Sequence, residues 1–158
     1  MKRRTTLALA AVAMLLAAGA ARAHDDATLD ASVAPNGGQL RMAGIYHFEL
    51  VLAQDSKTAK DNPVVVYLTD HAGTKVSSAG ATGTVTLLGA AGKATAALQP
   101  DGDNRLKGVA KYASTPDTKV VLAITMPGKQ PEQARFTPFA KMQGDGHGDM
   151  HGASTAKK

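Results

Sequence analysis

Between Gly37 and Phe139 the chain is cut, roughly every ten residues, into short apolar runs by glycine, proline, aspartate and asparagine. That rhythm restricts it to an all-β fold. "IYHFELVL" alternates: Tyr46, Phe48, Leu50 and Leu52 fall on one face, His47 and Glu49 on the other, with the period of two of a half-buried strand. "PVVVYLT" is β-branched and aromatic, and it runs into the turn signal Asp70-His71-Ala72-Gly73. "GTVTLLG" is closed by Gly89 and Gly92. "KATAALQP" alternates more weakly and stops at Pro100, before Asp101-Gly102-Asp103-Asn104. "RLKGVAKY", "KVVLAITM" and "EQARFTPF" follow. No window in this region keeps apolar residues at helical spacing for three turns, and its glycines disfavour helix interiors. About seven strands joined by turns predict an Ig-like antiparallel β-sandwich over residues 37–139. Its core rests on Val, Leu, Ile and Ala, each large aliphatic contributing roughly 1.5–3 kcal/mol when buried. Tyr46, Phe48, Tyr67, Tyr112, Phe136 and Phe139 are the bulky anchors.

The flanks are different in kind. Lys2, Arg3 and Arg4 precede an apolar run from Leu7 to Ala18, and Ala21-Arg22-Ala23 supplies small residues at a cutting position. This is the pattern of a secretory signal peptide over residues 1–23, with cleavage after Ala23. The apolar run is too short to span a bilayer, and no later stretch reaches the ~18 apolar residues a span needs. The expected product is a soluble exported chain beginning at His24, with no membrane insertion after cleavage. The short basic start and alanine-rich core point to a bacterial periplasm. Residues 24–36 read as a polar, acidic lead-in. Residues 140–158 read as a flexible tail of Gly, Ala, Ser, Lys and His, too polar to order itself.

Export changes the charge argument. Four of the 18 basic residues (Lys2, Arg3, Arg4 and Arg22) lie in the leader, leaving 14 against 13 acidic ones. The remaining Lys and Arg are scattered singly, which excludes the clustered surface that nucleic acid requires. There is no cysteine, so metal chemistry would fall to His, Met, Asp and Glu.

Those residues gather in three places. Met142, His147, Met150 and His151 lie close together in the tail, with Asp145 and Asp149 among them. Imidazole suits Cu(II), Zn and Ni, and thioether selects Cu(I). The set therefore fits copper, or zinc or another divalent ion, although a low-complexity terminus also gathers such residues by chance. His24, at the expected mature terminus, would offer its amine and imidazole together. A second histidine, His47 or His71, would complete a three-nitrogen brace suited to Cu(II); an ordinary cleavage junction explains His24 as well. His47 and Glu49 share one strand face, as ion ligands or, more simply, as a surface pair. His71 reads as a turn residue, with Asp70 bonding to backbone amides. The candidate metal ligands are thus His147, Met150, His151, Met142, His24 and His47. Enzyme signatures are missing: "PNGGQL" lacks the Lys-Ser/Thr pair of a phosphate loop, and there is no nucleophile elbow or dinucleotide fingerprint. A binding role is expected, not an enzymatic one.

The runs "PNGGQL", "YHFELVL", "VYLTDHAGTKV", "DNRLKG" and "ARF" resemble, in order and spacing, a group of small exported β-sandwich proteins associated with heavy-metal efflux systems. A similar domain precedes the membrane-fusion part of some metal-efflux adaptor subunits. The resemblance covers about residues 35–136. It implies a periplasmic metal-binding accessory protein linked to metal resistance, with an efflux adaptor or other envelope protein as partner. The group usually carries histidine before the two glycines, where this chain has Asn36, so that ligand is lost or moved. The alternative is a metal-free interaction module that docks on an envelope efflux component, for example by strand addition.

Overall fold

The computed structural model describes residues 26–140. A one-turn helix, α1 (Asp26–Asp30), precedes eight strands among the described residues: β1 (Gln39–Ala43), β2 (Tyr46–Leu52), β3 (Lys60–Asp70), β4 (Thr82–Gly89), β5 (Gly92–Pro100), β6 (Arg105–Tyr112), β7 (Lys119–Thr125) and β8 (Glu132–Phe136). All strand pairs are antiparallel, in the order β1-β2-β3-β6-β5-β4-β7-β8. The all-β expectation holds. The two-layer sandwich of about seven strands does not: the eight strands form one sheet that curls until β8 returns to β1, a barrel-like body. The expected leader, and the tail beyond Ala140, lie outside the described residues.

Alternation sets the inner face of the sheet. Inward-facing Phe48, Leu50, Val64, Val66, Leu68, Val85, Leu87, Leu98, Leu106, Leu122, Ile124 and Phe136 are almost wholly excluded from solvent and form one core. Tyr46 stacks on Phe48 with ring centres 6.2 Å apart. Tyr67 is a correction among the expected anchors. It falls between inward Val66 and Leu68, so it stands on the outer face and is half-buried.

Strands β5 and β6 share ladder pairs only at Gln99↔Lys107 and Pro100↔Leu106. Just beyond, the Ala97 carbonyl packs onto Gly108, where a Cβ would overlap that oxygen and the Leu98 side chain. Gly108→Ala is therefore expected to force β5 off β6. Overpacking of this kind costs about 1–3 kcal/mol, or roughly 4–12 °C of melting temperature for a domain of this size. A thermal melt followed by circular dichroism checks it; an unchanged midpoint would mean that the close approach is not fixed.

Closure at the other seam uses side chains. Arg41 faces inward from β1 and is only 5% exposed. Its Nη1 and Nη2 donate to the Asp30 carboxylate at 2.7 and 3.0 Å, while Nε donates to the Arg135 carbonyl of β8 at 3.2 Å. Gln39 adds a second tie, accepting from the Thr137 amide at 2.8 Å and donating to Asp30 at 2.8 Å. The hydrogen bond from Arg41 holds the Asp30 carboxyl below its usual pKa, against the opposing effect of burial and with help from Gln39. A lowered pKa means that this contribution to stability is present above the ordinary carboxylate value and is lost as pH falls through the folded-state value. Below about pH 4 the melting temperature should drop more steeply for the natural protein than for Asp30→Asn. Equal acid slopes would contradict the assignment.

Candidate metal site

Strand β2 carries His47 on its outer face, because its neighbours Tyr46 and Phe48 point into the core. The register sets His47 beside Met42 of β1 on one side and Thr69 of β3 on the other. Strand β3 then ends at Asp70, opposite Tyr46. The chain reverses through a turn in which the Asp70 carboxylate accepts from the Ala72 and Thr74 amides at 2.9 and 2.8 Å. The Asp70 carbonyl takes the Gly73 amide at 3.0 Å, and Gly73 has the left-handed φ of 80° that such a turn needs. The backbone hydrogen bond from Thr74, before all other causes, holds the Asp70 carboxyl below its usual pKa. The expected turn role of Asp70 is met, and the turn delivers His71.

His71 lies on His47. Their ring centres are 4.9 Å apart and their planes differ by 17°. The two histidines of the described region, 24 positions apart in sequence, are thus neighbours at one end of the sheet. Of the expected ligands, His47 is placed beside a second imidazole. His24, Met142, His147, Met150 and His151 lie outside the described residues.

Glu49 corrects the sequence reading. It shares the outer face of β2 with His47 but is only 3% exposed. The segment before β1 crosses over it: Asn36 donates through its amide and Nδ2 at 2.7 and 2.8 Å, and the Gly38 amide donates at 3.0 Å. The carboxylate clamps this turn, so it is no exposed partner for His47. Asn36, at the position where the resembled group carries histidine, is part of the clamp. Gly38 must be glycine, since a Cβ there would overlap the Leu50 carbonyl.

The donor set at the two imidazoles suits a borderline or soft cation, because ring nitrogens from two different elements come together there. No cluster of three or more His, Cys, Asp or Glu side chains suited to an ion occurs among the described residues. A separate cleft of about 530 Å³ lies over β4, β7 and β8, with Leu88 and Val121 on its floor and Lys93, Lys119 and Arg135 around it. It contains no histidine or methionine. The sequence reading missed the pairing of His47 with His71, and the turn signal after "PVVVYLT" was the one clue to where β3 stops. No protein-family model, curated protein or solved structure matches this chain, so the likeness to metal-efflux proteins rests on the quoted runs alone.

Proposed function

We propose that this chain is an exported, periplasmic copper-binding accessory protein that serves a metal-resistance or efflux system without catalysing a reaction. The observation that carries the reading is the approach of His47 to His71. Two imidazoles held by a sheet and a hydrogen-bonded turn have already lost most of the freedom that binding would otherwise remove. Copper is preferred over zinc because the chain offers imidazole and thioether donors and no thiolate. The leader-like residues 1–23 support export. Met142, His147, Met150, His151 and His24 would add capture capacity around the rigid pair, and an efflux adaptor is the partner to which an ion would pass.

Competition titration of the exported full chain with Cu(I), Cu(II) and Zn(II) tests this. Copper should bind with at least one equivalent and outcompete zinc. A protein indifferent to all three ions would overturn the reading.

A second reading is favoured by the outer face of β6, where Val109 is 58% exposed. A metal-free interaction module would dock through that face. Binding to an envelope partner that survives loss of both histidines but not Val109→Lys would favour it.

A further inference from the structure

We propose that Met42, His47 and His71 form one three-donor site on the outer face of the sheet, and that its thioether makes it selective for Cu(I). The inference rests on the copper reading above and adds a ligand and an oxidation state to it.

The register places the donors. Met42 and His47 are direct cross-strand partners of β1 and β2. Side chains so paired point to the same side, with Cβ atoms about 4.5–5.5 Å apart. On β1 the neighbours Arg41 and Ala43 are buried toward the interior, which puts half-buried Met42 on the outer face with His47. His47 in turn pairs with Thr69, and two residues further on His71 is back on that side of the chain. Sulfur, nitrogen and nitrogen therefore come from β1, β2 and the turn after β3, side by side.

The two rings lie within reach of one ion, and one must turn to bind it. They stack with centres 4.9 Å apart and planes only 17° apart, whereas an imidazole holds a metal in its own ring plane about 2.0–2.1 Å from the nitrogen. His71, exposed in its turn, is the ring that can change rotamer and bring its nitrogen toward an ion held by His47 and Met42. Two chemical facts select the ion. Thioether sulfur is a soft donor that holds Cu(I) and contributes little to harder divalent ions. The Glu49 carboxylate, which shares the face of β2 with His47, has both oxygens taken by Asn36 and Gly38, so that anionic ligand is withheld from an ion at His47. At Asp70 the Ala72 and Thr74 amides both bond to Oδ1.

The test uses the exported full chain with its tail donors replaced (Met142→Leu, His147→Ala, Met150→Leu, His151→Ala), with and without Met42→Leu. Leu conserves volume, so the fold should stay intact; a thermal melt verifies this. Cu(I) affinity is measured anaerobically against a chromogenic Cu(I) chelator, and Cu(II) affinity by calorimetry. Met42→Leu should weaken Cu(I) at least about tenfold and change Cu(II) less than about threefold. No change in Cu(I), or an equal loss for both states, would overturn the role of Met42 while leaving the histidine pair standing. A parent protein that binds neither state would overturn this proposal and the copper reading together.

Discussion

A His47→Ala/His71→Ala variant is expected to lose at least about 100-fold in copper affinity while melting within a degree or two of the natural protein. Disturbing only the outer partners of a metal ligand typically costs 10–100-fold, so removing two ligands sets that range as a floor. Stability should hold because neither ring belongs to the core: His47 is half-buried on the outer face and His71 is exposed in a turn. The turn keeps its shape without the imidazole, since its hydrogen bonds come from Asp70, Ala72, Gly73 and Thr74. Titrating the double variant beside each single variant separates the contributions. If the two imidazoles share an ion, the second substitution costs much less than the first, because the site is already broken. Fully additive losses would mean two independent weak sites.

Phe48→Ala should do the reverse. Phe48 is fully buried, stacked on Tyr46 and opposite Leu68 across the ladder. Truncation of a buried Phe costs about 3–5 kcal/mol, from lost transfer free energy and from the cavity left behind. Against a typical total of about 5–15 kcal/mol that is a large fraction, and it corresponds to a fall in melting temperature of roughly 10–20 °C. Well below that midpoint the variant should bind copper within about threefold of the natural protein, because the lost volume lies on the opposite face of β2 from His47. A thermal melt and a copper titration at low temperature measure both halves. A large loss of affinity in folded Phe48→Ala would show that the site depends on core packing and not only on register.

The two variants also mark what the sequence made legible. Strands β2 to β8 were visible because their inward positions are apolar and their ends carry glycine, proline or aspartate; "YHFELVL" coincides with β2. Strand β1 was not, because its inward residues are Gln39 and Arg41 as well as Ala43. A buried arginine breaks the apolar alternation, and what makes its burial tolerable is Asp30, eleven positions upstream. The same blind spot turned a barrel-like sheet into a sandwich. Alternation reports which face of each strand is buried, whereas closure depends on which strand meets β1. Here that meeting runs through Gln39, Arg41 and the backbone of β8.

The site was half legible for a related reason. His47 was readable as outward-facing from alternation alone. Its neighbour His71 required the β2–β3 register, Tyr46 opposite Asp70, which no local pattern states. Glu49 was misread as exposed because a strand's outer face counts as solvent until something covers it. The cover is the Asn36–Gly38 turn, and the signal for it was Gly38, the residue that lets the chain lie against Leu50 and Val51.

The most direct measurement is a residue-specific NMR titration of histidine ring nitrogens in the exported full chain as Cu(I), which is diamagnetic, is added. His47 and His71 should shift together and saturate near the first equivalent, ahead of His147 and His151, because a strand and a hydrogen-bonded turn already hold them side by side. If the tail histidines respond first while His47 and His71 stay unmoved through several equivalents, the paired imidazoles are not the capturing site.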